Sequence, residues 1–210
     1  MNKIKSRIYL PIETKRRELN ARVFFATRAV KKNWSIIICT KKDFYSKYKL
    51  LQPGIVFLKS LQRSYLEIIQ FLKKKNFNFV ATNEEGLFFF HDDFIRNKVS
   101  QKCIEDIDLF FCWGDIEKKN TARIFKNIQS KLILSGNSRI DILKKENRGF
   151  LDDEANQIRN KHGNFILFNT RFGRANFIPR FGINSWLAGQ FSNGNVSENN
   201  TEYLSLVKKS

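Results

Sequence analysis

The chain is poor in cysteine and histidine and has no long hydrophobic run, and each scarcity argues against a class of protein. Its three cysteines, Cys39, Cys103 and Cys112, form no CxxC pair and have no histidine at ligand spacing, so we expect neither a disulfide framework nor a structural zinc site. We interpret them as small core residues. The longest apolar runs, such as 36–39 and 87–90, are far shorter than the roughly 20 residues of a membrane span. Since no secretory signal opens the sequence either, we expect a cytoplasmic protein.

Acidic residues are scarce in the first part of the chain. Residues 1–80 hold 19 Lys and Arg against 4 Asp and Glu, whereas residues 81–210 hold 19 against 16. The net charge of +18 is therefore concentrated in the first 80 residues. The positive electrostatic field around so basic a segment attracts nucleic acid, an anionic membrane leaflet or phosphorylated small molecules. The alternative is a solvated surface of lysine-rich helices, in which a cluster such as 73–75 complements the dipole at a helix end.

Short apolar runs alternate with segments of helical periodicity, and the composition, 42% hydrophobic, is sufficient for a buried core. The apolar runs predict strands at 7–10, 34–39, 55–58, 77–81, 109–112 and 132–134. Helices are predicted between them, with one face formed by Leu19, Val23, Ala26 and Val30, a second stripe over 61–72, and further helices around 94–104 and 121–128. Strands separated by helices predict an α/β fold with a doubly wound, Rossmann-like parallel sheet.

Polar clusters follow five of the six predicted strands. They are Pro11 to Lys15, Lys59-Ser60, Asn83 to Gly86, Trp113-Gly114 and Ser135 to Arg139. Ligands of such sheets bind beyond the carboxyl ends of the strands, and all five clusters fall at that edge. We therefore expect the functional site there, although turn residues also occur at strand ends for structural reasons.

Six segments carry a resemblance to a known family. In chain order they read PIETKRREL, GIVFLKSL, ATNEEGL, LFFCWGD, LSGNSRIDIL and FILFNTRFGRAN. In order and spacing they resemble the bacterial surface carbohydrate (surface polysaccharide) biosynthesis proteins, which are similar to glycosyltransferases of the GT-B architecture. The Gly-Asn-x-Arg-x-Asp element also resembles one in CDP-glycerol glycerophosphotransferases. The resemblance extends from residue 7 to about residue 180.

The resemblance implies two Rossmann-like lobes facing each other across a cleft. It places the first lobe at 1–148, a hinge or linker helix at 149–164, and the start of a second lobe at 165–210, with a strand at 165–169 and then a polar tail. In GT-B enzymes the second lobe supplies most contacts to the nucleotide sugar. We therefore expect a GT-B-type first lobe with an incomplete second lobe, and both an active and an inactive isolated chain stay open.

The function implied by the resemblance is transfer of a sugar from a nucleotide-activated donor to a polysaccharide or lipid-linked acceptor, without a bound metal or further cofactor. The basic first part would then hold the protein peripherally against an anionic membrane. Alternatives are a CDP-glycerol-type glycerophosphotransferase and a non-catalytic lobe that serves another chain. A nucleic-acid-binding protein is supported by charge alone, since no RRM, KH, zinc or helix-turn-helix signature is present, and no nucleic-acid partner is expected.

Transfer to a hydroxyl requires a base, and a carboxylate in the cleft can supply it. The family's acidic turn commonly reads Asp-Glu-Glu-Gly-Leu, whereas this chain has Asn83 at the first position and keeps Glu84 and Glu85. Adjacent residues of an extended turn point in different directions, so only one of these two glutamates is expected to face the cleft. The prediction favours Glu85, with Glu13 as the other candidate and Glu84 behind them. A solvated, glycine-containing turn is the alternative.

The remaining site predictions concern substrate contacts. Arg139 is placed to meet the charge of a leaving phosphate or the acceptor, or else it is a structural residue paired with Asp141. Trp113 offers an aromatic platform for a sugar ring, or else it is buried at the sheet edge. Arg17 and Glu18, inside the first helix, are interpreted as fixing the N-terminal loop through an ion pair rather than contacting substrate. The other predicted contacts are Lys15, Lys59, Gly86, Gly136, Asn137, Asn169 and Thr170.

Overall fold

A six-stranded parallel sheet organises the chain, and the computed structural model describes residues 6–85 and 92–168. The strands are β1 (Arg7–Ile12), β2 (Ser35–Thr40), β3 (Ile55–Leu58), β4 (Asn78–Thr82), β5 (Leu109–Cys112) and β6 (Leu132–Leu134). The α-helices are α1 (Lys15–Val30), α2 (Lys41–Lys47), α3 (Leu66–Lys73), α4 (Asp92–Lys98), α5 (Gln101–Asp106), α6 (Asp115–Ile124), α7 (Ser138–Asp141) and α8 (Asp152–His162). The predicted α/β class with a Rossmann-like parallel sheet is confirmed.

The order of the strands is β2-β1-β3-β4-β5-β6, and every neighbouring pair is parallel. The chain first adds β2 on one side of β1 and then crosses to add β3 on the other side. This reversal leaves a crevice between the carboxyl ends of β1 and β3, the place where doubly wound sheets bind ligands. The loops after these two strands begin with Glu13 and Lys59, both named as candidate site residues by the sequence.

The core lies where the central strands pack against helices α3 and α5. Its fully buried members include Val56 and Leu58 of β3, Phe79 and Ala81 of β4, and Ile69 of α3. Cys103 and Cys112 are buried there too, and burial raises the pKa of both thiols. Cys39 of β2 is half-buried against the same cluster. All three cysteines are therefore thiols among apolar neighbours, as the sequence predicts.

Helix α1 buries a different face from the one that its apolar residues predict. Val23 is 43% exposed and Val30 is 56% exposed, although both belong to the predicted apolar stripe. The buried positions are instead Glu18, Ala21, Arg22 and Ala29. Two charged residues thus lie on the inner face, where Glu18 is paired with Lys59 and Arg22 packs over the Phe57 ring of β3.

Two further helical predictions need correction. The single helix predicted around 94–104 is two helices, α4 and α5, because the backbone of Val99 forms a bridge with Leu61 and Ser100 N donates to Leu61 O at 2.8 Å. Helix α2 is absent from the prediction, although Thr40 caps it by accepting from Asp43 N at 3.0 Å. A threonine three residues before an aspartate is a recognisable N-terminal signal, so the pattern was available in the sequence.

The chain divides into two compact units, Met1–Glu154 and Ala155–Ser210. The division falls within α8, inside the segment predicted as a linker helix. In the second unit, residues 165–168 are exposed and form no strand, so the strand predicted at 165–169 is absent from the part that is described. Asn169 and Thr170, both predicted contacts, lie outside the described residues. No helix within residues 6–85 and 92–168 is both long and apolar enough to cross a membrane.

Candidate functional site

A cavity of about 230 Å³ opens at the carboxyl edge of the sheet in the first unit. The ends of β3, β4 and β5 contribute Phe57, Thr82 and Phe111, and the turn after β4 contributes Glu84. Helix α1 contributes Glu18, Ala21, Arg22 and Phe25, and the segment after β6 contributes Ser135, Gly136, Asn137, Ser138 and Asp141. Polar clusters that the sequence places after separate strands therefore meet around one space.

Glu84 and Arg139 form the central ion pair of this site. Arg139 Nη1 donates to Glu84 Oε2 at 2.8 Å, and the Glu84 side chain is only 9% exposed. The backbone N–H of Glu84 also donates to the carbonyl of Lys59 at 3.0 Å, which ties the turn after β4 to the end of β3. The structural alternative in which Arg139 pairs with Asp141 is wrong, because Asp141 is paired with Lys144 at 2.8 Å.

Asn137 and Gly136 shape the wall next to Arg139. Asn137 is 9% exposed and caps α7, since its Oδ1 accepts from Arg139 N at 2.9 Å. Gly136 has a φ of +72°, a left-handed conformation that glycine adopts without steric cost. The turn thus aims the start of α7 back towards β4, and both predicted residues line the cavity. Asp141 is the last residue of this helix.

Glu84 lines the cavity, whereas Glu85, the preferred candidate base, has a different environment. The carboxylate of Glu85 is paired with Lys98 of α4, and its backbone N–H donates to Asn83 Oδ1 at 3.2 Å. Asn83 is fixed in turn by Trp113, whose Nε1 donates to the Asn83 carbonyl at 2.5 Å. The two glutamates therefore point in different directions, as predicted, but Glu84 and not Glu85 faces the cavity. Gly86, which follows them, lies outside the described residues.

Glu13, Glu18 and Lys59 form a second cluster at the crossover between β1 and β3. Lys59 Nζ lies 2.6 Å from Glu13 Oε2 and 3.1 Å from Glu18 Oε1. Glu18 also accepts from the backbone N–H of Glu13 at 3.2 Å and of Thr14 at 2.8 Å. It therefore fixes the loop before α1, as predicted, but through backbone hydrogen bonds, and its ion-pair partner is Lys59. The hydrogen bond from Lys59 lowers the pKa of Glu13. Lys59 is thus engaged by two carboxylates.

Glu13 does not share the cavity that Glu84 lines. It faces a more open hollow of about 480 Å³ that is bordered by Thr40, Lys41 and Tyr45. Its side chain is 48% exposed and also lies 3.3 Å from Lys41 Nζ. The two predicted catalytic sites, at Glu13 and at the acidic turn, therefore open into separate spaces linked only through Lys59 and Glu18.

Lys15 and Trp113 do not line the cavity either. Lys15 is exposed at the first position of α1, and the half-buried Trp113 is held by its hydrogen bond to Asn83. Four residues after Trp113, Glu117 accepts from the Trp113 backbone N–H at 2.7 Å. The second oxygen of Glu117, Oε1, is buried without a hydrogen-bond partner among the described residues. Burial raises the pKa of Glu117 to about 7.

Sequence reasoning missed Arg22, a buried residue of the cavity wall. Its side chain is 3% exposed, and its Cζ lies 4.4 Å from the centroid of the Phe57 ring. Sequence reasoning also missed the aromatic wall of the cavity. In this wall Phe57 makes edge contacts with Phe25 and Phe111 at centroid distances of 5.6 Å. A signal was present for Arg22, because it follows Glu18 by one helical turn and so shares its face.

Comparisons of the chain with protein-family models, with curated proteins and with solved structures each found no match. Within residues 6–85 and 92–168, no group of three or more His, Cys, Asp or Glu side chains is gathered as a metal site would require. What the site offers chemically is a half-enclosed cavity with one buried guanidinium, three ion-paired carboxylates, an aromatic wall and a capped helix start.

Proposed function

We propose that the first unit is the acceptor-binding lobe of a glycosyltransferase that moves a sugar from a nucleotide-activated donor to a surface polysaccharide or lipid-linked acceptor. The observation that carries this proposal is the cavity at the carboxyl edge, with the Glu84 carboxylate in its wall. The cavity lies at the carboxyl edge of the sheet, which is the edge at which doubly wound sheets bind ligands. The six segments that resemble surface carbohydrate biosynthesis proteins supply the reaction class.

In this reaction the acceptor hydroxyl oxygen attacks the anomeric carbon of the donor. The bond from that carbon to the donor phosphate oxygen breaks, and the nucleotide leaves with the bonding electrons. A base takes the hydroxyl proton, and we assign this role to Glu84 because it is the glutamate of the acidic turn that reaches the cavity. Glu18 also lines the cavity, but its two oxygens are engaged by Lys59 and by the loop before α1.

Arg139 acts on Glu84 in this proposal and is a positioning residue. Its guanidinium fixes one oxygen of the carboxylate, and its own backbone is fixed by the Asn137 cap. The other carboxylate oxygen is then the one that receives the proton. The nucleotide-sugar donor is assigned to a second lobe, and no further cofactor or metal is proposed.

The charge of the first 80 residues supports a place at the membrane. A net charge of this size attracts anionic lipid surfaces, where lipid-linked acceptors reside. We therefore propose that the protein acts from the cytoplasm, bound peripherally to the inner face of the cell membrane. Nucleic acid is not proposed as a partner.

A transfer assay tests the function directly. The full chain is incubated with membranes bearing lipid-linked saccharides and with one labelled donor at a time, drawn from UDP, GDP and CMP sugars and from CDP-glycerol. Label from one of the sugar nucleotides is expected in the acceptor, with Glu84→Gln slower by about 100-fold or more. Label from CDP-glycerol alone would favour the glycerophosphotransferase alternative. A blank with every donor would favour a non-catalytic lobe that serves another chain.

A further inference from the structure

Arg22 is a buried cation with spare hydrogen-bonding capacity inside the cavity. Its side chain lines the cavity and is 3% exposed. Its Nη2 atom is buried and has no hydrogen-bond partner among the described residues. A guanidinium nitrogen left in this state costs free energy unless a ligand supplies an acceptor. Burial also lowers the pKa of Arg22, which is the direction expected for a cation that lacks a close counterion.

The three acidic residues that line the cavity are each paired with another cation. Glu18 is bound by Lys59 at 3.1 Å, Glu84 by Arg139 at 2.8 Å, and Asp141 by Lys144 at 2.8 Å. Glu18 and Glu84 still attract Arg22 through space, but neither is hydrogen-bonded to its Nη2. The guanidinium of Arg22 is therefore the one charge in the described cavity wall without its own ion-pair partner.

The rest of the cavity favours a small ring. Phe25, Phe57 and Phe111 form a continuous aromatic wall beside the guanidinium. The volume of about 230 Å³ is below the range of about 300–1,000 Å³ typical of drug-sized ligands. A single sugar ring suits such a space, whereas a whole nucleotide sugar does not.

We propose that the cavity binds an acidic sugar unit of the acceptor, with its carboxylate on Arg22 and its ring against Phe57. Identification of this ligand as the acceptor rests on the proposed function, but the binding of a carboxylated sugar does not. One guanidinium matches one carboxylate, and its fork geometry suits the two oxygens. A phosphate dianion is disfavoured, because Glu18, Glu84 and Asp141 lie around the same space and would repel its second charge.

Calorimetric titration of the full chain tests the proposal without any donor. The probes are glucuronic acid and N-acetylneuraminic acid, with glucose as the neutral match of the first and inorganic phosphate as the other oxyanion. At least one of the two acids is expected to bind, and glucose at least about 10-fold more weakly, since a charge-assisted hydrogen bond is lost. Absence of binding by both acids up to about 20 mM would overturn the proposal, as would equal binding of glucose or preferential binding of phosphate.

Variants then assign the contact to Arg22. Arg22→Met keeps most of the side-chain volume, removes a buried charge and is expected to weaken binding of the acid by about 10- to 100-fold. Arg28→Met, on the exposed face of the same helix, is the matched control and should bind like the wild type. Unchanged binding by a folded Arg22→Met would contradict the proposal. If that variant does not fold, Arg22→Lys, which keeps the charge and loses the fork, should bind more weakly than the wild type.

The outcomes for the two proposals are separate. Binding of a carboxylated sugar with a blank transfer assay would leave the cavity assignment intact and refute only the proposed function. Transfer to a neutral acceptor, without binding of either sugar acid, would support the proposed function and overturn the cavity assignment.

Discussion

Arg139 and Glu84 lie 55 positions apart in the chain and meet at 2.8 Å in the wall of the cavity. The pair connects the turn after β4 with helix α7, which follows β6. Glu84 is almost fully covered, and Arg139 is about one third exposed. The two sequence motifs that contain them, Asn-Glu-Glu-Gly and Gly-Asn-Ser-Arg, therefore form one structural unit.

A double-mutant cycle of Glu84→Gln and Arg139→Met should measure the interaction energy between these two side chains. Removal of Arg139 leaves a covered carboxylate without its cation, so we expect a loss of about 1–3 kcal/mol in the free energy of unfolding. The coupling energy from urea unfolding of the four proteins should be at least about 1 kcal/mol. The exposed pair Arg123–Asp92 is the matched control and should couple more weakly, although its distance is 2.6 Å. Equal coupling energies in the two cycles would contradict the view that burial strengthens the Glu84–Arg139 pair.

Lys59→Met should destabilise the fold strongly. Lys59 is 9% exposed and Glu18 is fully covered, so the substitution leaves a buried carboxylate with only two backbone donors. We expect a loss of about 3 kcal/mol in the free energy of unfolding, measured in urea. The double variant with Glu18→Gln should recover part of that loss, because the uncompensated charge is removed.

Lys41→Met is the matched control for Lys59→Met. Lys41 pairs with Glu13, whose side chain is half exposed, at 3.3 Å. A surface pair of this kind contributes less than about 1 kcal/mol. A loss as large for Lys41→Met as for Lys59→Met would show that burial at the β1–β3 crossover does not decide the energetics.

The strands were predictable because each one contains a short apolar run, and this local pattern agrees with the tertiary structure. The runs at 55–58, 109–112 and 132–134 match β3, β5 and β6 residue for residue. For the interior strands β3 and β5 the reason is that a strand buried in a parallel sheet consists of a continuous apolar run. The edge at which the site forms was predictable for the same reason, because parallel strands all end on one side.

The details of the site depend on tertiary contacts that no local pattern encodes. The spacing from Glu18 places Arg22 on the same face of α1, but its burial against Phe57 is a contact between distant segments that the spacing does not show. The choice between Glu84 and Glu85 depends on Arg139 and Lys98, which arrive from distant segments. Burial of Glu18 likewise depends on its ion pair with Lys59, which follows β3. Periodicity cannot recover such pairings, because they join residues far apart in the chain.

Binding to anionic vesicles should depend on the first 80 residues. The full chain is expected to bind phosphatidylglycerol vesicles and to leave pure phosphatidylcholine vesicles free. Binding should fall between about 0.1 M and about 1 M salt, as the Debye length shortens from about 10 Å to about 3 Å. Cosedimentation of protein with vesicles measures both effects. Binding to duplex DNA at moderate salt with equal strength would contradict a preference for membranes.

Charge reversal locates the interacting segment. Arg16→Glu with Arg17→Glu changes two exposed residues at the start of α1 and should reduce vesicle binding. The control, Lys118→Glu with Lys119→Glu in α6, alters the net charge by the same amount outside the first 80 residues. Equal reductions by the two variants would indicate that net charge alone, and not its concentration in the first part of the chain, drives the binding.

Glu117 should make the protein less stable as the pH rises towards neutrality. Its carboxyl is buried in the first turn of α6, and burial raises its pKa to about 7 from the usual 4.5 of a glutamate. Between these two values the folded state keeps a proton that the unfolded state has lost, so stability falls with increasing pH. The full loss is about 3 kcal/mol at most, reached above pH 7. Urea unfolding at about pH 5, 6 and 7.5 measures it.

Glu117→Gln removes the titrating proton while keeping an acceptor for the Trp113 backbone N–H, so its stability should change less over this range than that of the wild type. Glu105→Gln, an exposed residue of α5, is the matched control and should keep the wild-type dependence. Glu13 and Asp43 act in the opposite direction, because their pKa values are lowered by their partners and their stabilisation is lost only in acid. They therefore do not mask the effect above pH 5. An unchanged pH dependence in Glu117→Gln would assign the titration to another group.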